Sequence, residues 1–177
     1  MKKTLPLGAV YRMMESGPVV LLTTARRGHP NVMPMSWHTM MEFEPPLLGC
    51  VVSDRNYSFG ILKSTRECVI NIPTAPLMAR AVACGNCSGR SKDKFAALGF
   101  TPLPAARVRA PLIEECPVNL ECRVVDTRFV PRYGFFVLEV VKAWHDPRVK
   151  KLRTFHHLGR GRFMLAGRTV AVPSRAK

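Results

Sequence analysis

The feature that most constrains the fold is a series of short apolar segments rich in β-branched residues, several of them bounded by glycine or proline. Segments of this length predict strands joined by turns. The predicted strands cover residues 19–24, 31–37, 47–52, 68–72, about 117–130 and 134–144. Residues 26–30, Arg-Arg-Gly-His-Pro, are typical of the turn of a hairpin. Many short strands with turns indicate a closed or nearly closed antiparallel barrel.

Short helical patterns lie between these strands. An N-terminal helix is expected within residues 1–16, where Leu7, Val10, Tyr11 and Met14 have the spacing of one helix face. Further helices are predicted at about 56–63, 76–83 and 93–98, and Gly99 would cap the last one in the left-handed conformation. A length of 177 residues fits one domain. We therefore predict a single mainly β domain, residues 1–177, with short helices.

The longest predicted strand has a regular alternation. One face carries Val118, Leu120, Cys122 and Val124. The other carries Asn119, Glu121 and Arg123. This pattern predicts a sheet with one buried face and one face in water.

The chain is strongly basic, with 27 Lys and Arg against 12 Asp and Glu, a net charge of +15. After Asp146 there are nine basic residues and no acidic ones, which defines a basic C-terminal extension, residues 147–177. Such an excess suggests contact with phosphates, nucleic acid or anionic membranes. Because no motif interleaves basic with aromatic residues, nucleic acid is the weaker alternative.

The cellular compartment is predicted from what the sequence lacks. No apolar run reaches the roughly 18 residues of a membrane span. Met1-Lys2-Lys3 resembles the start of a signal peptide, but no continuous apolar segment follows. We therefore expect a cytoplasmic protein without membrane contact, whose six cysteines are thiols.

Four of the cysteines allow a sharper hypothesis. Cys84 and Cys87 form a CxxC motif, and Cys116 and Cys122 lie downstream. Five residues rather than two to four separate the second pair, so no zinc site is predicted. A redox-active CxxC is a second hypothesis, because the nearby basic residues could lower a thiol pKa. We favour ordinary loop thiols for this pair.

Three polar segments could carry chemistry. Residues 31–39 end a strand, residues 53–58 connect a strand to a helix, and residues 84–95 form a loop and a helix start rich in donors and cations. Hydroxyls, an arginine and the N–H groups of a helix start suit a phosphate. Taken alone, each segment is also typical of a capped turn or of the polar end of a strand.

Together, in this order, these segments resemble the flavin reductase-like family of FMN-binding split barrels, the group that includes flavoredoxin. The resemblance runs from about Gly17 to Asp126. Its most specific stretches are Asn31…Ser36-Trp37, Pro45-Pro46, Cys68-Val69-Ile70-Asn71-Ile72-Pro73, Ser88-Gly89-Arg90…Asp93-Lys94-Phe95 and Ala110-Pro111-Leu112-Ile113-Glu114-Glu115-Cys116-Pro117.

The resemblance implies a six-stranded Greek-key split barrel, a homodimer and noncovalently bound FMN. The strand end that lines the isoalloxazine matches Met35, Ser36 and Trp37. The segment that holds the ribityl chain and phosphate matches Ser53, Arg55, Asn56, Tyr57 and Ser58. The loop and helix start that close over the cofactor match Ser88 and Lys94.

The activity implied is oxidoreduction, with hydride passing from NADH or NADPH to the flavin and electrons then passing to a protein or small-molecule acceptor. His38 is a candidate for proton transfer, and residues 155–159 could border the substrate opening. Other readings stay open: a flavoredoxin-type electron carrier reduced by a partner protein, a noncatalytic flavin- or heme-binding relative, and a nucleic-acid-binding basic barrel.

Overall fold

The computed structural model describes residues 17–172, so the helix expected within residues 1–16 lies outside the described residues. The strands are β1 Val20–Arg26, β2 His29–Met35, β3 His38–Glu42, β4 Leu47–Val51, β5 Glu67–Ile72, β6 Pro102–Leu103, β7 Leu112–Ile113, β8 Val118–Asp126, β9 Phe135–His145, β10 Phe155–His157 and β11 Phe163–Leu165. The helices are α1 Tyr57–Thr65, α2 Met78–Gly85, α3 Lys94–Leu98 and α4 Val130–Tyr133, with a 3₁₀ turn at Ala75–Leu77. Within residues 17–172 no helix has the length and apolarity to cross a membrane.

One seven-stranded antiparallel sheet dominates the molecule, in the order β2-β1-β5-β8-β9-β4-β3. The pairs β6–β7 and β10–β11 form two small separate sheets. Strands far apart in sequence are neighbours, β1 with β5 and β4 with β9, as expected for a Greek-key connection. The prediction of a mainly β chain with short helices is confirmed.

The sheet has seven strands rather than the six that the resemblance implies, because β3 pairs with the outer side of β4. This strand is absent from the prediction for a physical reason. Four of its five residues are exposed, so its sequence lacks the apolar alternation of a half-buried strand. A register shift between Met40 and Glu42 further interrupts its pairing.

The predicted hairpin of β1 and β2 is confirmed, with Val20 opposite Met35 and Arg26 opposite His29. Arg27 and Gly28 form its two-residue turn and both have positive φ, 53° and 80°. Such a turn matches the right-handed twist of the two strands. The hairpin places the end of β2 and the residues after it beside α2.

Two apolar clusters meet across β1. Val20 and Leu22 pack into the interior of the sheet with β4, β5, β8 and β9. Val19 and Leu21 pack on the opposite side with α2, α3 and β10. Because both faces are covered, β1 is buried at every position from Val20 to Thr24 rather than at alternate ones. The second cluster fixes α2 and α3 against the sheet and thereby positions the loop between them.

The first of the two long predicted strands is shorter than expected. β8 ends at Asp126 rather than near residue 130, and α4 follows. Pro131 falls in the first turn of α4, where its missing N–H is tolerated. Gly134 ends the helix with φ 62°, a conformation that favours glycine.

The prediction of a face in water on β8 is confirmed for Arg123, which is exposed, and is wrong for Asn119 and Glu121. Asn119 and Glu121 are buried, because the segment 105–113 covers that face. The Glu121 carboxylate accepts hydrogen bonds from the Ala106 N–H at 3.0 Å and from Trp144 Nε1 at 2.7 Å. A buried carboxylate is retained because backbone and indole donors satisfy its oxygens.

Candidate functional site

Two cavities share a wall formed by Pro34, Gly85 and Asn86. The first, called here the polar cavity, has a volume of about 460 Å³. Its lining includes six of the predicted cofactor-binding residues: Arg55, Asn56, Tyr57, Ser58, Ser88 and Lys94. The fold therefore brings together side chains from α1, α3 and the loop after α2.

The start of α1 forms one side of the polar cavity. Asn56 occupies the cap position in an extended conformation, and its side chain makes no capping hydrogen bond. The first turn contains no acidic residue. The N–H groups of a helix start carry the positive end of the helix dipole, and Arg55 adds a permanent charge directly before them. This end of the cavity therefore favours an anion that can accept several hydrogen bonds.

Lys94 places a second cation in the polar cavity. Its side chain is buried, and its Nζ donates a hydrogen bond to the Cys84 carbonyl at 2.8 Å. Asp93 caps α3 by accepting from the N–H groups of Phe95 and Ala96, which fixes the backbone at Lys94. Among the residues of 17–172 that line the cavity, none is Asp or Glu. The positive charge there is thus not neutralised by the cavity's own side chains.

Asn31 completes the floor of the polar cavity. Its side chain is buried, and Nδ2 donates to Ser58 Oγ at 2.8 Å. Its Oδ1 is a buried acceptor without a hydrogen-bond partner among the described residues. A Cβ at Gly89 would collide with this oxygen, so glycine permits the close approach of the loop after α2. An unpaired buried acceptor in a cavity wall suits a ligand donor such as a hydroxyl.

The second cavity, called here the apolar cleft, has a volume of about 310 Å³. Met35 and Ser36, both predicted to line the isoalloxazine, are among its lining residues. The lining also includes Val19, Ala81 and Phe163, which the prediction does not connect with the site, and Phe155 and His157 from the segment 155–159. Phe155 is fully buried and its ring packs edge-on against Phe163, with centroids 5.9 Å apart. These side chains could cover a flat aromatic ligand.

Three predicted residues lie outside both cavities. Trp37 is exposed and does not line either of them. Ser53 lines a separate cavity together with residues of α1 and α4. The imidazole of His38 faces the Pro18 carbonyl, with Nε2 and the oxygen 2.7 Å apart. Their predicted roles therefore stay predictions.

The CxxC cysteines line the polar cavity, and the environment of Cys84 favours the thiol form. Burial raises the pKa of Cys84 to about 11, and this effect outweighs the opposite effect of the Lys94 charge. Cys116 and Cys122 lie in different apolar clusters. Within residues 17–172 no three His, Cys, Asp or Glu side chains come together as a metal site. The burial of Cys84 thus supports an ordinary thiol rather than a reactive thiolate at this position.

The two cavities fit a ligand with an anionic end and a flat apolar end. The polar cavity offers two cations, hydroxyls, helix N–H groups and one unpaired acceptor. The apolar cleft offers methionine, phenylalanine and aliphatic walls directly beside it. FMN has this distribution of chemistry, with a phosphate and a hydroxyl-rich chain at one end and a flat ring system at the other.

Solved structures with the same fold as this chain include FMN-binding proteins. Flavoredoxin of Desulfovibrio vulgaris (Miyazaki F) superposes with a TM-score of 0.87 at 24% identity and covers 99% of both chains. An FMN-binding domain of a flavin reductase-like enzyme from Shewanella baltica superposes with a TM-score of 0.83 at 23% identity and 97% coverage of both chains. The predicted split β-barrel is thereby confirmed.

Sequence comparison identifies the family to which this chain belongs. The uncharacterized protein YddH of Escherichia coli is 32% identical over 173 residues, covering 90% of this chain and 92% of its own. Residues 12–162 match the model of the flavin reductase-like domain. This match spans the whole seven-stranded sheet, the polar cavity and every lining residue of the apolar cleft except Phe163. The chain therefore belongs to the flavin reductase-like domain family.

Proposed function

We propose that this protein is an FMN-binding oxidoreductase that passes electrons from NAD(P)H through bound FMN to an acceptor. The observation that carries this proposal is the adjacency of the polar cavity to the apolar cleft across one wall. Several hydrogen-bond donors and two cations lie on one side of that wall, and aromatic and aliphatic side chains lie on the other. Membership of the flavin reductase-like family supports the same assignment.

The polar cavity would hold the phosphate and the ribityl chain. Arg55 and the first N–H groups of α1 would provide charge-assisted donors for the phosphate, and Lys94 would add an ammonium from the start of α3. The Asn31 Oδ1 would accept a hydrogen bond from a ribityl hydroxyl, which would satisfy its buried lone pairs. These contacts would orient the ligand, because the phosphate and the ribityl chain would each meet a different set of hydrogen-bonding groups.

The apolar cleft would hold the ring system. Val19, Met35 and Phe155 exclude water from one part of the cleft, and their burial leaves little freedom to rearrange. FMN, when bound, supplies reversible hydride and electron transfer, so the protein needs no nucleophile of its own. The contribution of the chain is to bind the cofactor, orient it and tune its surroundings.

We also propose that the protein is a homodimer. The edge strand β3 and its flanks expose large apolar side chains, namely Trp37 at 56%, Met40 at 56% and Phe43 at 88% exposure. An open edge strand with exposed apolar side chains favours association. A second copy covering this edge would also cover Trp37, which directly follows Ser36 of the apolar cleft.

Reduction of the FMN-loaded protein by NADH or NADPH under anaerobic conditions tests this function. Rapid bleaching of the flavin absorbance by either nucleotide supports the reductase. Reduction only by a partner protein supports a flavoredoxin-type electron carrier with the same cofactor site. A protein that takes up no FMN contradicts both functions.

A further inference from the structure

The two cysteines of the CxxC motif have no role in the function proposed above. Cys84 lies in the last turn of α2, and Cys87 follows Asn86, the residue that ends the helix. Both cysteines line the polar cavity, and the two residues between them form part of the wall that this cavity shares with the apolar cleft. Both are free thiols in the structure. A covalent change at this pair would therefore act directly on the candidate cofactor site.

The backbone holds the two cysteines one helical turn apart. The Asn86 N–H donates to the carbonyls of Val82 and Ala83, both at 3.2 Å, so the helical conformation continues through residue 86. Residues three apart on a helix have Cβ atoms about 5–6 Å apart, and a disulfide requires about 3.5–4.5 Å. The Cys87 Sγ already points back at the helix, because it donates to the Cys84 carbonyl at 3.8 Å. A movement of roughly 1–2 Å at Cys87 would therefore allow a disulfide.

The two thiols differ in exposure, which assigns them different roles. Cys87 is half-buried and borders the polar cavity, whereas Cys84 is fully buried. Burial raises the pKa of Cys84 to about 11, so its sulfur is protonated in the reduced protein. Thiol–disulfide exchange needs an accessible sulfur to attack first, and a second sulfur then displaces the group that has been bound. Cys87 is thus the attacking sulfur, and Cys84 is the resolving one.

The charge of the polar cavity favours one class of small disulfide. Arg55 and Lys94 provide two cations, and no carboxylate lines the cavity among residues 17–172. The Lys94 ammonium and the Cys87 sulfur donate to the same carbonyl oxygen, at 2.8 and 3.8 Å, so the charge lies close to the attacking sulfur. A disulfide that carries carboxylates is attracted to such a position. Glutathione disulfide has the required charge.

We infer that Cys84 and Cys87 form a reversible disulfide by exchange with an anionic low-molecular-weight disulfide, and that this bond weakens ligand binding in the polar cavity. The Cys87 sulfur, after losing its proton to water, attacks one sulfur of glutathione disulfide and releases one glutathione thiolate. The Cys84 sulfur then loses its proton and displaces the second glutathione, which forms the Cys84–Cys87 bond. The protein gives up two electrons and two protons, and one glutathione disulfide becomes two glutathione thiols.

The effect on the cavity follows from where the movement occurs. Asn86 is fixed by the helix, so the displacement falls on Cys87 and the residues after it. Ser88 and Gly89 line the polar cavity, and a Cβ at Gly89 would collide with Asn31 Oδ1. Drawing Cys87 toward α2 would therefore change the position of both residues against the cavity floor. The effect on FMN rests on the proposed function, whereas the formation of the disulfide does not.

Exposure of the flavin-free protein to glutathione disulfide tests the bond itself. The remaining thiols are blocked with iodoacetamide, and the linked peptides are identified by mass spectrometry. We expect a Cys84–Cys87 disulfide that dithiothreitol reverses. The other four cysteines should stay alkylatable after unfolding, because all of them are buried in the folded chain. A protein that keeps both thiols free under these conditions overturns the inference.

Three variants test the two roles. Cys84→Ser should retain one glutathione on Cys87, because no second thiol displaces it. Cys87→Ser should bind no glutathione at Cys84, because that sulfur is buried. Cys116→Ala is the matched control, since Cys116 belongs to the same apolar cluster as Cys84 but lines neither cavity. It should form the disulfide as the wild type does. Glutathione retained on Cys84 in Cys87→Ser, or loss of the disulfide in Cys116→Ala, overturns the assignment.

Titration of the oxidised and the reduced protein with FMN tests the effect on the cavity. We expect the Kd for FMN to be at least about 5-fold higher for the disulfide form and to return to the reduced value with dithiothreitol. Because such coupling is reciprocal, saturating FMN should raise the ratio of oxidised to reduced glutathione needed for half-oxidation by the same factor. In Cys87→Ser the Kd for FMN should not depend on the glutathione ratio.

The outcomes separate this inference from the proposed function. A protein that forms the disulfide but binds FMN equally well in both states overturns the inference and leaves the function standing. A protein that binds FMN but forms no disulfide does the same. A reduced protein that takes up no FMN overturns the proposed function, and with it the effect of the disulfide on FMN.

Discussion

The Lys94 ammonium donates to the Cys84 carbonyl at 2.8 Å from a side chain that is only 6% exposed. Within residues 17–172 this carbonyl is its one hydrogen-bond partner, so two of its three donors are available to a ligand. A buried ammonium in a cavity without a lining carboxylate is unfavourable for the empty protein. A bound anion in the polar cavity would offset the cost of burying the Lys94 charge.

Lys94→Met removes this charge while keeping a side chain of similar length. We expect the affinity for FMN to fall by about 1.5–3 kcal/mol, the usual loss for a hydrogen bond to a charged group. The free energy of unfolding without FMN should stay equal or rise, because a buried charge is removed. Calorimetric titration and urea unfolding measure the two quantities. Unchanged FMN affinity would place Lys94 outside the site.

Arg55→Ala removes the charge at the start of α1. We expect FMN binding to weaken by about 1.5–3 kcal/mol through the lost phosphate contact. Riboflavin lacks the phosphate and is the internal control, so its affinity should be the same in wild type and variant. Fluorescence titration with FMN and with riboflavin measures both affinities. A parallel loss for riboflavin would show that Arg55 supports the fold or the ring rather than the phosphate.

Gly89→Ala tests the close approach between the loop after α2 and Asn31. The added Cβ would collide with Asn31 Oδ1 and displace the amide from Ser58. The lost buried hydrogen bond should lower the free energy of unfolding by about 1–3 kcal/mol, and FMN binding should weaken.

Gly60→Ala is the matched control, because nothing lies within 4 Å of its Cβ position. Gly60 is inside α1, so alanine should raise the stability by up to about 1 kcal/mol. Both variants are compared by chemical unfolding and by FMN titration. If Gly89→Ala behaves like Gly60→Ala, the loop has more room than the structure indicates.

The polar cavity shows where prediction from the sequence succeeds, and the buried carboxylate of Glu121 on β8 shows where it fails. Arg55, Ser58, Ser88 and Lys94 were predicted from motifs, and the structure brings all four to one cavity. Local signals marked the segments that contain them, a helix start and a donor-rich loop, but the assignment of these residues to a cofactor came from the family resemblance. The Gly99 cap of α3, with φ 69°, was predicted from local sequence alone and is confirmed.

The apolar cleft could not be predicted in the same way. Phe155 and Phe163 come from the basic extension and reach Val19 only through tertiary packing. The fully buried Phe155 accepts a backbone hydrogen bond from Val19 at 2.8 Å, a contact across 136 residues. No local pattern encodes such a contact. The burial of Glu121 could not be predicted either, because the segment 105–113 that covers it has no regular pattern of apolar residues.

Glu121 should make the stability depend on pH. Burial alone raises the pKa of its carboxyl, but hydrogen bonds from the Ala106 N–H, Trp144 and the Arg107 N–H hold the pKa below its ordinary value of 4.5. Because the pKa of Glu121 is lower in the folded than in the unfolded protein, its ionised carboxylate stabilises the fold above pH 4.5. This stabilisation is lost as the pH falls below 4.5. Glu121→Gln should therefore destabilise at pH 7 by about 1–3 kcal/mol, with a smaller difference at pH 4.

Urea unfolding at the two pH values measures this difference. Glu67→Gln is a suitable comparison, because that carboxylate pairs with the exposed Arg109 and a surface ion pair contributes little, about 0–1 kcal/mol. An equal penalty for Glu121→Gln at pH 7 and pH 4 would show that the carboxylate charge does not contribute.

An equilibrium titration of the flavin-free protein with FMN, with riboflavin in parallel, shows whether the polar cavity and the apolar cleft form an FMN site. We expect saturable binding of one FMN per chain, tighter than riboflavin, because the polar cavity provides the cations for the phosphate. Absence of FMN uptake, or equal affinity for FMN and riboflavin, would show that they do not.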